Sequence, residues 1–586
     1  MSRTRTSLAA ALLALALPAT GGLLWMLHAD AWGLGGRSPV LSYDTAQYAL
    51  AARELATHGR LATTFALPLE LSRHAAPPWP LAVVQPGLVL IEAALFRVTP
   101  PTLRVGPFVL AQLNRPDQRE WLAVVVPLLA FILTGLVLAV VASRLLRRHA
   151  PGLSEGRRLV AALTVGLAFY LDPEAQHFAA GGFTELPFTF GLLLALAALV
   201  LGSAPRHALG FGLLLGVTGA LRGSMLWFAP VFALAAAALA PPGRRARVAA
   251  LVLLGYALPL APWWLYKWRM FGSPAWDLSR FAVWDGVRGH TWFSLHHVPE
   301  LPPLPGGLEA AGLLAAKTAR NLPALLLDVT TGPRALWLGA VVAWLALSRP
   351  ARPATADDAA ADAARRPLRA AAWAALAVLA LSLVVAALGV PWRRYLFPAR
   401  VVFEAAGLLA SWALIARLLP AAASPGLRRA VCIAVGVLAL GWGGLQTARG
   451  VREARAVSAE RGVPGTLALL RTAVLMNREI PAGEAVMSNL GPVLAWHARR
   501  PVLHLANSPE DLDACRRRLE FRHVLLVFRD AAAAWPEWRE VVARPAEAPA
   551  RPEWNVRRVR VWRTEDGFDL VWLELGPPPA RLAALP

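Results

Sequence analysis

The feature that most constrains this chain is a repeated alternation of long apolar runs with short arginine clusters. The clusters fall at Arg3/Arg5, Arg144 to Arg158, Arg206/His207, Arg244 to Arg247, Arg349 to Arg369 and Arg428/Arg429. Lys267 and Lys317 are the only lysines, so arginine carries nearly all of the formal net charge of +22. A balance this basic can mark a nucleic-acid partner. Here the charge sits between apolar segments instead, which is the positive-inside signal of a membrane chain, and no nucleic-acid partner is expected. With 56% hydrophobic residues over 586 positions, a soluble fold would not need so many apolar runs. The chain reads as a polytopic α-helical membrane protein.

Placing every cluster on the inner side predicts eleven spans, at 8–28, 121–143, 159–176, 186–203, 208–222, 224–240, 248–266, 334–348, 369–390, 396–418 and 430–448. The alternation then leaves the C-terminal tail outside. The first segment reads as an uncleaved span, since its apolar stretch runs past any small-residue cleavage site. Residues 81–98 are apolar but interrupted by Pro86 and Glu92, and one more span there would put every later cluster outside. Residues 29–120 are therefore predicted to form one external loop, with 81–98 and 103–113 lying on the membrane or dipping in as a pair. A pair of full spans keeps the same sidedness. The run 308–328 reads as a helix lying on the membrane, and 349–367 as a linker. Cys432 and Cys515 show no metal-ligand spacing and are not expected to pair.

The chemistry-bearing residues fall between the spans. In SYDTAQYALAARELATHG, from Ser42 to Gly59, Asp44, Gln47 and Tyr48 share one helical face. A carboxylate beside a bilayer is costly unless it meets a cation, a polar cavity or a substrate. Asp is also a favoured helix N-cap, so Asp44 reads either as a cap or as a functional acid. Glu185 opens a descending helix after Gly181-Gly182, where an acid also suits the helix dipole. Lys267 and Arg269 sit among Trp263, Trp264, Tyr266 and Trp268 at an outer span end. They read as an aromatic-belt anchor or as a seat for a lipid phosphate. Arg393 and Arg394 repeat the theme, and Arg222 is a third outer cation, against the positive-inside trend. His290, His296 and His297 lack companion spacing for a metal and read as surface histidines.

After 448 the spans stop. Four short apolar runs, 485–489, 501–505, 523–528 and 569–575, alternate with helical stretches and predict a small α/β domain over 449–586. It has no GxGxxG, P-loop or GxSxG, so an accessory or acceptor-handling role is expected.

The order of parts resembles the GT-C superfamily of membrane glycosyltransferases, nearest to bacterial relatives of the protein O-mannosyltransferases and the lipid A aminoarabinose transferases. The matching pieces are SYDTAQYALAARELATHG, QPGLVLIEAALFRV, GGFTELPF, GALRGSMLWFAPVFALAAA, PWWLYKWRMFGSP and RRYLFPA, in that order over 1–448. The resemblance implies a GT-C transmembrane domain over 1–448 and a periplasmic domain over 449–586, in a bacterial inner membrane. It implies inverting sugar transfer from a polyprenyl-phosphate donor to a lipid, polysaccharide or protein acceptor. Asp44 and Glu185 fall on the family's acidic positions, Asp44 as general base. Lys267, Arg269, Arg393 and Arg394 would hold the donor phosphate, and Tyr48 and Arg222 would face the acceptor. Many relatives carry two adjacent acids where this chain has Asp44-Thr45, and a basic residue where it has Gln85. These departures leave acceptor type and a divalent metal open; no other cofactor is implied. A lipid or solute transporter and a non-enzymatic scaffold are the alternatives. A topology reporter fused after Ala448 should be active only on the outer side; activity restricted to the cytoplasm would reverse the sidedness of every loop named above.

Overall fold

The computed structural model describes residues 3–99, 119–149, 153–347, 356–418, 424–459 and 464–577. The predicted segment 103–113 lies outside them. The fold is mainly α, with one six-stranded mixed sheet. The chain divides into two units: Met1–His28, Pro127–Leu265 and Ala316–Arg452 form the first, and Ala29–Val126, Tyr266–Ala315 and Glu453–Pro586 the second.

Among the described residues five helices are long and apolar enough to cross a membrane: Glu120–Arg148, Pro242–Phe271, Arg365–Leu388, Phe397–Ile415 and Arg429–Ser458. Three shorter apolar helices, Glu185–Val200, Ala208–Leu221 and Met225–Leu239, stand where spans are predicted. Segment 159–176 is broken, since helix Glu155–Tyr170 stops and a new helix, Pro173–Ala180, begins. Pro173 at the first helical position suits such a restart, and the Asp172 side chain caps it by accepting from the Glu174 N–H at 2.9 Å. The run predicted to lie flat at 308–328 forms the helix Gly307–Thr330, and it meets Pro333–Ala346 at 89°. Gly332 at φ +61 and Pro333 make that corner.

Small residues set the helix spacing in the first unit. A Cβ on Gly212 would lie 2.2 Å from the Val252 carbonyl, and one on Gly255 would lie 2.4 Å from that of Leu209. Helices Ala208–Leu221 and Arg245–Phe271 thus touch backbone to backbone, the close approach small residues permit between membrane helices. Gly407 does the same for helices Phe397–Leu418 and Pro333–Leu347, where a Cβ would lie 2.3 Å from that of Trp337.

In the second unit the strands are β1 (Ala62–Thr63), β2 (Phe65–Ala66), β3 (Trp79–Pro80), β4 (Ala485–Ser488), β5 (Val502–His504), β6 (Phe521–Phe528), β7 (Val556–Arg563) and β8 (Asp569–Leu575). The sheet runs β2-β5-β4-β6-β8-β7, parallel from β2 to β6 and antiparallel beyond. Four of its strands are the four apolar runs predicted. β2 comes instead from the 29–120 loop, so that loop and the C-terminal segment share one sheet. β7, VRRVRVWR, was not predicted: its arginines mask the strand pattern, and charge is how an edge strand avoids further pairing. Trp79, Phe521 and Trp538 fill the core beneath, with the Trp538 indole N–H donating to the Ala506 carbonyl at 3.0 Å.

Replacing Gly212 with Leu should lower the melting temperature of the purified protein, by the roughly 1–3 kcal/mol that overpacking costs. An unchanged transition would show that the two helices can move apart freely.

Candidate functional site

In the first unit three predicted residues converge. Glu185 is fully buried at the start of its helix, and its Oε1 meets Arg222 Nη1 at 2.8 Å and Arg394 Nε at 3.1 Å. Local structure delivers each group. Gly182 takes φ +71, which turns the chain into the Glu185 helix. Arg222 is the extended residue that ends helix Ala208–Leu221, and Arg394 lies in a short 3-10 turn, Arg393–Tyr395. Aromatic faces surround both guanidiniums: Arg222 stands 5.3 Å from the Tyr395 ring, and Arg394 stands 5.4 Å from Phe183 and 5.9 Å from Trp392. Two guanidiniums on one carboxylate leave the cluster with one positive charge. Arg222 and Arg394 keep 15% and 30% of their side-chain surface, so this charge can meet a ligand. Arg393 turns elsewhere, to Asp328 at 3.1 Å.

A larger network lies in the same unit. Arg400 holds Asp172 at 2.7 Å, Glu174 at 2.9 Å and Glu404 at 3.6 Å. Arg334 holds Glu404 at 2.7 Å and donates to the Asp328 carbonyl at 3.1 Å. Arg400 and Glu404 lie in the run 396–418 that the sequence marks as a span. The spacing of the two, one helical turn apart in an apolar run, was the available signal.

In the second unit, Asp44 is not the helix cap. Ser42 caps helix Tyr43–His58, its Oγ accepting from the Thr45 N–H at 3.3 Å, and Asp44 follows in the first turn, half-buried. Tyr48 and Gln47 are buried on the same helix. Tyr43 packs edge-on against Phe65 and against His504 of β5. Burial raises the Tyr43 hydroxyl pKa, and the charges of Asp44 and Glu70 push it the same way. Glu70 was missed in the sequence. It is 4% exposed, and burial drives its pKa up to about 8, although the Leu67 N–H donates to its Oε1 at 2.9 Å and favours the charged form. Lys267 is buried and meets Asp277 at 3.4 Å, with the Gln85 amide donating to the same oxygen at 3.3 Å. Tyr266 bridges backbone, donating to the Leu61 carbonyl and accepting from the Leu81 N–H, both at 2.7 Å. Arg269 is exposed in the last turn of its helix. Among the described residues no group of three His, Cys, Asp or Glu side chains could hold a metal ion.

Glu70 carries a pH dependence of definite sign. Between pH 4.5 and about 8 the folded chain holds its proton while the unfolded chain has lost it, so stability falls as pH rises through that window. The Glu70→Gln variant should lose this slope in melting temperature against pH and be the more stable form at pH 8. An identical slope in both proteins would mean that Glu70 is ionised in the fold.

No family model matches the chain, and no curated protein matches it in sequence. Solved structures do match in shape. ArnT from Cupriavidus metallidurans bound to undecaprenyl phosphate is 15% identical, with a TM-score of 0.52 over 95% of this chain and 97% of that one. The apo state of the same protein is 14% identical, with a TM-score of 0.51 over 96% and 98%. The likeness covers nearly all of both chains, and it gives this chain the GT-C fold that its motif order implied.

Proposed function

We propose that the chain is a membrane glycosyltransferase that moves a sugar from a polyprenyl-phosphate carrier to an acceptor hydroxyl on the periplasmic side. The observation that carries this reading is the convergence of Arg222 and Arg394 on Glu185, in a fold whose solved relative ArnT binds undecaprenyl phosphate. A singly positive seat walled by aromatic rings suits a lipid phosphate: guanidinium forks match phosphate oxygens, and the rings shed water around them. In this seat Glu185 orders the two guanidiniums, since its carboxylate is buried beneath them.

Asp44 is the proposed general base. Its carboxylate lies in the first turn of helix Tyr43–His58, which Ser42 caps. In the proposed step the acceptor oxygen attacks the anomeric carbon as its proton passes to Asp44. The bond from that carbon to the phosphate oxygen breaks, and polyprenyl phosphate leaves with the electron pair. Direct displacement inverts the anomeric centre. Lys267, already ion-paired with Asp277, and the exposed Arg269 and Arg393 are auxiliary donor contacts in this proposal, and Tyr48 an acceptor contact.

The test is transfer from polyprenyl-phosphate sugars by the purified protein. Asp44→Asn should give normal folded yield and a rate lower by about 10²–10⁴-fold, the usual worth of a positioned base. Arg394→Ala should raise the apparent KM for the lipid donor roughly ten- to a hundredfold, the loss of one charge-assisted bond. Near-normal transfer by Asp44→Asn would remove Asp44 from the mechanism, and unchanged donor dependence in Arg394→Ala would remove the phosphate seat.

A further inference from the structure

A second polar feature of the first unit is not needed to hold a phosphate. Asp172, Glu174, Arg334, Arg400, Glu404 and Trp442 wall a cavity of about 180 Å³ among the helix ends. With Asp328 and Arg393 also on its wall, it is lined by four carboxylates and three guanidiniums, one negative charge in excess. That excess disfavours a phosphate, which the Glu185 cluster with its opposite excess would hold better. A metal ion is disfavoured too, because Arg400 and Arg334 already engage the oxygens of Asp172, Glu174 and Glu404.

What the wall offers is a fixed pattern of donors and acceptors beside three aromatic side chains, Phe169, Trp337 and Trp442. Glu174, Glu404 and Arg334 keep 37%, 26% and 20% of their side-chain surface, whereas Asp172 and Arg400 behind them are closed off. Trp442 is closely packed by Gly332, where a Cβ would lie 2.9 Å from its ring. Ring-shaped molecules with polar edges and apolar C–H faces match such a wall. A dry cavity of about 150 Å³ admits a benzene ring, so the volume suits one six-membered ring.

We propose that this cavity binds one sugar ring without a negative charge and so excludes uronates from transfer. The exclusion of uronates follows from the charges: a uronate would add a second uncompensated negative charge to a half-buried site. The identity of this sugar as the one transferred rests on the function proposed above; the binding itself does not.

Saturation-transfer NMR on the purified full chain in micelles tests it, with free glucose, mannose, galactose and arabinose against glucuronate and galacturonate. At least one neutral sugar should show transfer, and the uronates none. Trp442→Ala should weaken binding by about tenfold, while Trp442→Phe stays within about threefold, as expected for an aromatic face. Gln446→Ala, also on the cavity wall, is the second variant should Trp442→Ala fail to fold, and it should weaken the same signal. Arg394→Ala should leave sugar binding intact while raising the apparent KM for the lipid donor. Sugar binding without any transfer activity would sink the function and keep the cavity. Absence of binding by every neutral sugar, equal binding of uronates, or a signal untouched by both wall variants would overturn the proposal.

Discussion

Charge buried among apolar helices must be met by opposite charge, and Arg400 is where the first unit meets that demand. Its guanidinium and the Asp172 carboxylate are both almost closed to solvent, and losing one partner of such a pair typically costs about 3–5 kcal/mol. Much of the local architecture follows from keeping this pair together. Asp172 must leave the membrane helix before it, so Glu155–Tyr170 ends and Asp172 caps the next helix. Glu404 stands one turn from Arg400, where Arg334 can reach it from a second helix. Asp328 in turn joins the network from the helix that bends into that one.

The two charged clusters of this unit differ in sign. Around Glu185 the guanidiniums are in excess and aromatic rings surround them. Around Arg400 the carboxylates are in excess, and the cavity wall joins charged side chains to apolar ones. Adjacent arginines serve the two: Arg394 turns to Glu185 and Arg393 to Asp328. A 3-10 turn suits this division, since neighbouring side chains in it point in different directions.

The second unit is held by a different means. Its sheet takes an edge strand, β2, from the segment between Trp32 and Glu120, and Tyr43, next to Asp44, packs on His504 of the neighbouring strand. Gly491 makes room for this contact: it takes φ +47, and a Cβ there would lie 2.8 Å from the His504 ring and 3.1 Å from that of Tyr43. Burial lowers the pKa of His504 to about 4, so the ring meets Tyr43 uncharged at neutral pH. The C-terminal segment, which carries no catalytic motif of its own, is thereby part of what positions the helix bearing Asp44.

The sequence by itself determined what depends on short stretches of chain. Apolar runs and arginine clusters are local sums, and they marked the multi-pass helical class. Short apolar runs marked β4, β5, β6 and β8, and the order of motifs implied the GT-C fold. Asp44, Glu185 and Arg394 were visible because each stands beside a helix end or a cluster of aromatic residues. The tertiary structure alone decided which charges meet. Arg400 and Asp172 are 228 positions apart, and nothing in either stretch names the other. It also decided that β2 joins the C-terminal sheet, since two residues of strand carry no periodicity, and that Ser42 rather than Asp44 caps its helix. Composition and spacing report a residue's cost of burial; only the packed chain shows what offsets it.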